Sequence, residues 1–326
     1  MTLFLTEDEL AGVVDLGDLI DSVRALHADL TLGQATQPVP AIIDTAPSTV
    51  LLPMVSTSHR LGLTAVKILT DAQGHGSVQQ STVLLLDAAT GDRLAVLPGR
   101  TCTRMRTAAT SAAATDALAR GDSRVLGLVG AGPLAVEHVA AVRRVRPIER
   151  VVVWSRTRER LSSFRQALQR RDIADGTTPL DVVEAAGIRE VVEAADVLCT
   201  LTPAREPVVR GEWFRPGQHV NAVGAPPRPD HREIDSAGLA RATVVVDSTD
   251  VSLAKSGEAV LSIRDGATTA DDFRCELGDV LTGLAPGRLG SEQITLFNSV
   301  GLALQDLAFG ALVLRPVAGT VRVKGG

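Results

Sequence analysis

The sequence predicts an α/β chain in which a doubly wound parallel sheet is inserted into a strand-rich α+β domain built from both chain ends. Three observations predict it. From residue 121 onward, short apolar runs alternate with helical stretches, the pattern of a parallel sheet covered on both faces. Residues 50–97 read instead as successive strands rich in Val, Leu and Thr. Beyond the last strand assigned to the parallel sheet comes a long apolar-faced helical stretch, which is expected to return to the N-terminal domain.

Taken in order, Asp15 to Leu32 places apolar residues at helical spacing with acids toward its start, an early surface helix. TVLLPMV, LTAVKILT, STVLLLD and RLAVL follow as strands, the last two joined by Asp87–Asp92, whose Gly91 suits a hairpin turn. Arg104 to Arg120 is alanine-rich without Gly or Pro and predicts a helix bridging two domains, with Gly121 as its stop. The strand Val125–Val129, a helix, the strand Arg150–Trp154 and a helix over Glu159–Arg171 come next. ADVLCTLTP, HVNAVGA and TVVVDST then supply further strands, and Glu292 to Val313 reads as one helix. The expected division is residues 1–120 with 292–326 as substrate and dimerisation domain, and 121–291 as the nucleotide domain.

Composition narrows the function. At 326 residues and 45% hydrophobic, the chain has enough apolar material for two cores. Its 33 basic residues are scattered and outnumbered by 38 acids, for a net charge of −5, so nucleic acid is not an expected partner. Tyrosine is absent, which excludes any mechanism needing a tyrosine acid. Cys102, Cys199 and Cys275 form no CxxC pair, and the spacing of His59, His75 and His231 matches no zinc motif, so no metal is expected and a reducing cytoplasm is. The acidic N-terminus carries no basic region followed by an apolar run, and no stretch reaches the roughly 18 apolar residues of a membrane span.

The strongest local signal is Gly130-Ala131-Gly132-Pro133-Leu134-Ala135, between a strand and a helix. In this GxGxxA form Gly130 permits the tight turn, Gly132 lets backbone approach a pyrophosphate, and Ala135 allows close helix packing. The helix start presents oriented N–H groups to the phosphates. The second strand ends in Ser155-Arg156-Thr157, with no carboxylate for ribose hydroxyls. A hydroxyl and a guanidinium there suit a 2′-phosphate, which favours NADP(H) over NAD(H), although a solvated Arg156 would leave either cofactor acceptable.

Several blocks follow one another along the chain: Val66-Lys67-Ile68, STVLLLDAATGDRLAVL, TRMRTAATSAAA, LGLVGAGPLA, VNAVGA followed by RPDHREID, VVVDS and FNSVGLALQDLA. In these blocks, which span nearly the whole chain, the sequence resembles the ornithine cyclodeaminase/mu-crystallin family, which includes ketimine reductases and amino-acid dehydrogenases. The resemblance implies a Rossmann-type nucleotide domain and a homodimer paired through strand-rich domains. It also implies that Lys67 and Arg106 hold a substrate carboxylate. The residues agree as far as they go: a lysine interrupting an apolar strand needs an anion if it points inward, though strand alternation also allows an outward face. Arg106, in the first turn of the predicted helix, can fork a carboxylate. By the same resemblance Thr82 and Thr107 face cofactor or substrate, and Thr200, Leu201 and Thr202 line a strand end near the adenosine ribose. Val223, Gly224 and Ala225 approach the nicotinamide, and Ser299 and Val300 close that pocket.

Two departures bear on the reaction. Cyclodeaminases carry an arginine where this chain reads Gln37-Pro38-Val39-Pro40, and a catalytic aspartate just after the VGA segment, where it reads Pro226-Pro227-Arg228-Pro229-Asp230. Asp230 is the candidate for that role, with a solvated turn residue as the alternative. The expected activity is therefore NADPH-dependent reduction of an imino acid, or amino-acid dehydrogenation in reverse, with Lys67 or a water it orders as proton source. The competing expectations are an ornithine cyclodeaminase-like lyase that recycles NAD and an inactive NADPH-binding protein.

Overall fold

The computed structural model describes residues 2–10, 12–46, 49–72 and 78–318, which divide into two compact units, residues 1–107 with 302–326 and residues 108–301.

The first unit follows from an unbroken run of alternating strands. β1 (Leu3–Phe4), β2 (Ala35–Thr36), β3 (Ile43–Ala46), β4 (Thr49–Ser58), β5 (Leu63–Ala72), β6 (Val78–Asp87) and β7 (Arg93–Pro98) form one sheet in the order β1-β7-β6-β5-β4-β2, with β3 on β4. β4 to β7 are an antiparallel meander, and the β6–β7 turn contains Gly91 at φ 76°. With period 2, Leu52, Met54, Ala65, Lys67, Val83, Leu85, Ala95 and Leu97 point to one buried face. Helices α1 (Glu7–Leu10) and α2 (Leu16–Thr31) precede the meander, and Asp15 caps α2 by accepting from the N–H groups of Gly17 and Asp18. The helix Ala303–Ala318 lies on the sheet's buried face and against α2; a Cβ on its Gly310 would sit 2.5 Å from a terminal methyl of Leu85, so any larger residue there requires the buried Leu85 side chain to shift.

α3 (Gly99–Leu118) starts five residues before the predicted Arg104. The carboxylate of Glu7 caps it, accepting from the N–H groups of Arg100 and Thr101 across more than 90 residues of sequence. No local pattern carries that information.

The second unit is a seven-stranded parallel sheet. Its members are β8 (Val125–Val129), β9 (Arg150–Trp154), β10 (Asp181–Glu184), β11 (Val197–Thr200), β12 (His219–Ala222), β13 (Thr243–Val246) and β14 (Thr295–Asn298), in the order β10-β9-β8-β11-β12-β14-β13. Helices α4 (Pro133–Val142), α5 (Arg158–Asp175), α6 (Ile188–Ala194), α7 (Ser236–Arg241), α8 (Thr249–Lys255), α9 (Gly257–Arg264) and α10 (Leu277–Thr282) connect them; the terminal helix is thus α11. One sheet face buries Val152, Leu198, Val220 and Leu296 with Phe214 and Phe273, and the other buries Leu126, Leu128, Val151 and Val153 with Phe164. Strands apolar on both faces read as continuous runs, as they do here. Sequence order reverses between β8 and β11, so the connections leaving them go to opposite faces and open a crevice at their carboxyl ends.

The stretch read as one helix over Glu292–Val313 is corrected by this topology. Its first part is β14, inserted between β12 and β13; the turn at Gly301, φ 85°, follows, and only then α11. Thr295 to Asn298 are all buried, and a four-residue run buried on both faces has no period by which strand and helix can be told apart.

Candidate active site

The glycine turn is built as its sequence requires. Gly130 follows β8 at φ 118°, and a Cβ there would meet the carbonyl oxygen of Leu201 at 3.0 Å. Gly132 caps α4 with extended backbone and no side-chain hydrogen bond, Pro133 opens the helix, and a Cβ on Gly132 would find nothing within 4 Å. Ala131 and Ala135 are buried, while Leu134 is half-buried. The turn thus offers open space beside a helix start whose first N–H groups have no side-chain cap, the cradle that a dinucleotide pyrophosphate needs. At the end of β9, Ser155 is half-buried and Arg156 and Thr157 are exposed; Arg158 and Arg160, at the start of α5, are exposed as well. No carboxylate stands at Ser155–Thr157.

Several expected residues at the strand ends are collected by one that sequence reasoning passed over. Glu233 is fully buried, and its carboxylate accepts from Thr200 Oγ1 at 2.7 Å, from the N–H and Oγ1 of Thr202 at 2.6 and 2.7 Å, and from the N–H of Gly224 at 2.8 Å. Burial raises its pKa and these four donors oppose the rise. The end of β11 is thereby tied to the turn after β12, which holds Val223, Gly224 and Ala225. Leu201 stays in the ladder, its N–H on the Val129 carbonyl. Ser299 donates to the buried Asp247 at 2.7 Å, and the same carboxylate oxygen takes the N–H of Gly301, which fixes the turn that carries Val300. Glu233 lies within RPDHREID, but nothing local singles it out among the charged residues there, and its partners lie up to 33 residues away.

In the first unit Lys67 points inward from β5 and is 2% exposed. Its Nζ donates to Thr103 Oγ1 at 2.7 Å and to Asp306 Oδ1 at 3.0 Å. Arg106, also buried, stands with Nε 3.5 Å from the same Asp306 oxygen and donates through Nη1 to Gln305 Oε1 at 2.6 Å. Cys102 directs its Sγ to that oxygen at 3.4 Å, and burial pushes its thiol well above the ordinary range, so it remains protonated. Burial also pulls the Lys67 ammonium down; Asp306 opposes the shift and Arg106 adds to it. Two buried cations from β5 and α3 therefore share one carboxylate, contributed by the first turn of α11. Gln305 and Asp306 were both missed by the sequence reading, although both lie within FNSVGLALQDLA.

The remaining candidates separate from these groups. Thr82 is in register with Ile68 and lies on the sheet face opposite Lys67, exposed. Thr107 is buried on α3. Asp230 is half-exposed and paired with Arg205 at 2.6 Å and His231 Nδ1 at 2.9 Å. Val39 is 42% exposed, and Gln37 accepts the N–H of Leu304. His59 is exposed, and His75 lies outside the described residues. His138 is buried between the Leu134 carbonyl and Ser111 Oγ. Among the described residues no three His, Cys, Asp or Glu are grouped to hold a metal, and no helix is long and apolar enough to cross a membrane.

A sequence profile of the ornithine cyclodeaminase/mu-crystallin family matches residues 2–319. Ketimine reductase mu-crystallin of Rattus norvegicus is 35% identical over 319 residues, 95% of this chain and 96% of its own. Among solved structures, Delta(1)-pyrroline-2-carboxylate reductase of Thermococcus litoralis, in complex with NADH and L-proline, superposes with a TM-score of 0.90 at 31% identity over 98% of both chains. An archaeal alanine dehydrogenase dimer with bound NAD superposes with a TM-score of 0.88 at 28% identity, covering 98% of this chain and 97% of that one.

Proposed function

The chain belongs to the ornithine cyclodeaminase/mu-crystallin family, and from that premise we propose that it is a nicotinamide-dependent oxidoreductase that reduces the C=N carbon of an imino acid to an amine, or runs the reverse dehydrogenation. The observation that carries this reading is the sharing of one buried carboxylate, Asp306, by the buried cations Lys67 and Arg106. Two buried cations brought side by side at a shared carboxylate make a positively charged recess of the kind that takes a substrate carboxylate.

Each residue then has a task. Lys67 spends two of its three N–H bonds on Thr103 and Asp306 and offers the third to substrate. Burial lowers its pKa, which makes the ammonium a readier proton donor to the imine nitrogen than an exposed lysine. Arg106 fixes the carboxylate so that the C=N carbon takes one orientation. The turn Gly130–Leu134 and the strand ends Thr200–Thr202 and Val223–Ala225 would hold the cofactor, with Ser299 and Val300 beside the nicotinamide. Ser155, Arg156 and Thr157 favour the 2′-phosphate of NADP(H). A bound nicotinamide supplies the hydride. Cyclodeaminase chemistry has less support, since Asp230 is half-exposed and occupied by Arg205 and His231.

A homodimer is part of the proposal. On the face of the antiparallel sheet away from Lys67, Val55, Val66, Leu84 and Val96 lie side by side and half-exposed beside the 48% exposed Ile68, an apolar surface suited to a second copy.

The test is cofactor turnover. Purified protein supplied with cyclic and acyclic imino monocarboxylates is expected to consume NADPH in step with amine product, faster than NADH. Binding of NADPH without consumption, or ammonia release from a diamino acid with no net change in nicotinamide absorbance, would replace this reading with one of the other two.

A further inference from the structure

We propose that Asp306 is a positioning residue that keeps Lys67 charged and aimed, and so sets the upper pH limit of the reaction; this rests on the reading of Lys67 as proton donor given above. Lys67 sits on a sheet face lined by Met54, its partner on β4, and Val83, its partner on β6, both buried and apolar. In such surroundings an ammonium sheds its proton unless an anion holds it. Among the described residues, the charged and titratable groups that meet Lys67 are Asp306 from α11 and Arg106 and Cys102 from α3, with Thr103 as the neutral hydrogen-bond partner. Arg106 repels the ammonium and Cys102 is held as a thiol, so the counter-charge is Asp306.

The helix that carries Asp306 supports the anion. Asp306 occupies the first turn of the 16-residue α11, where the positive end of the helix dipole stabilises a carboxylate. Its Oδ1 gathers Lys67 Nζ, Cys102 Sγ and, at 3.5 Å, Arg106 Nε, while Oδ2 is buried with no hydrogen-bond partner among the described residues. Lys67 is the one ammonium within hydrogen-bond distance of this carboxylate among the described residues, at 3.0 Å, with the Arg106 guanidinium farther off at 3.5 Å. Gln305, the preceding residue, holds Arg106 through Oε1, and its Nε2 faces His27 Nε2 at 3.4 Å. The consecutive pair thus fixes both cations from one helix turn.

The experiment is the pH profile of kcat/KM for imino-acid reduction by wild type, D306N and D306E, with NADPH affinity measured alongside. The alkaline limb is expected to move down by about one to three pH units in D306N, the shift that loss of a contacting opposite charge produces. D306E, which restores the charge, is expected to recover most of it, and NADPH affinity is expected to hold within twofold. A limb that belongs to the imine substrate would stay in place in all three proteins, and a D306N limb coincident with wild type overturns the inference. Where D306N does not accumulate as folded protein, K67M/D306N, which removes the cation along with the acid, must restore NADPH binding; its failure to do so also overturns the inference. Wild type inactive on every imino acid sinks the functional reading instead, and active wild type with an unmoved D306N limb sinks only the role of Asp306.

Discussion

The backbone N–H of Glu233 donates to a carboxylate oxygen of Glu258 over 2.8 Å, and both glutamates are buried. The two carboxylates are nevertheless supplied very differently. Glu233 has four donors at its oxygens, whereas Glu258 has the Glu233 N–H and Ser256 Oγ at a long 3.4 Å. Burial, reinforced by the neighbouring Glu233 charge, pushes Glu258 up to about 7.

Glu258 therefore makes stability depend on pH with a definite sign. Its folded pKa stands above the unfolded value, so its contribution is complete below about pH 4.5 and is lost as pH rises through about 7, by on the order of 2–3 kcal/mol. E258Q keeps an acceptor for the Glu233 N–H but cannot ionise. Its melting temperature is expected to gain on wild type from pH 5 to about pH 7 and then level off toward pH 8 in a thermal-shift series, and a constant difference across that range rules the assignment out.

The buried histidines act in the opposite direction. Burial lowers His27 to about 4, His138 to about 4 and His219 to about 3. The unfolded chain takes up these protons first, so their stabilisation is complete above about pH 6.5 and is lost as pH falls toward 4. At full effect His27 and His138 each contribute on the order of 3 kcal/mol and His219 on the order of 5 kcal/mol. Denaturant titrations from pH 7.5 to 4.5 are expected to show unfolding free energy falling most steeply below pH 6, where three histidines outweigh the gain from Glu258. A rise over that interval would mean that the histidines are not held neutral.

Glu233 yields a prediction about cofactor affinity. Replacing it by glutamine turns one of two accepting oxygens into a donor aimed at the Thr200, Thr202 or Gly224 donors, a loss of about 1–3 kcal/mol at a charged hydrogen-bonding site. The turn after β12 loses its tie to β11. E233Q is expected to bind NADPH at least tenfold more weakly by calorimetry, and affinity unchanged from wild type would show that these strand ends do not depend on the carboxylate.

What the sequence disclosed and what it hid follow from the range of the interactions. GAGPLA was legible because its strand, turn and helix requirements are local, and the lysine of LTAVKILT was visible as a charge breaking an apolar run, with its face left open. The partners that make Lys67 tolerable were not, since Asp306 lies 239 residues away and nothing in an amphipathic helix marks which acid will be buried. Glu7 capping α3 and Glu233 gathering the ends of β11 and β12 are the same case. β14 was misread for a different reason, because a strand covered on both faces carries no alternation. Thr82 shows the limit of block resemblance: the motif located the strand, but the face followed only from its register with Ile68.

For the cation pair, K67M and R106M are expected to separate chemistry from cofactor binding. Removing the Lys67 ammonium takes away the proton donor, so kcat is expected to fall by roughly 10²–10⁴. R106M is expected chiefly to raise KM for the imino acid, since it removes a carboxylate contact present before and after the transition state. NADPH affinity should stay within twofold of wild type in both, because neither side chain belongs to the unit that carries the glycine turn. Equal losses of NADPH binding and turnover would instead indicate that these variants disturb the fold.

The two glycines of the turn should fail in different ways when each is replaced by alanine. At Gly130 the backbone has φ 118° and a Cβ would press on the Leu201 carbonyl at 3.0 Å, so G130A carries strain of order 1–3 kcal/mol into the protein without cofactor. Its melting temperature is expected to drop before any ligand is added. At Gly132 the backbone is extended and a Cβ would find nothing within 4 Å, so G132A should melt with wild type when cofactor-free. The added methyl instead occupies the space into which the pyrophosphate must come to reach the first N–H groups of α4. The stabilisation that NADPH gives to wild type in a thermal-shift titration is expected to be largely lost in G132A. If G132A retained full NADPH stabilisation, the pyrophosphate could not be bound through this turn, and the assignment of the cofactor site would have to move elsewhere on the sheet.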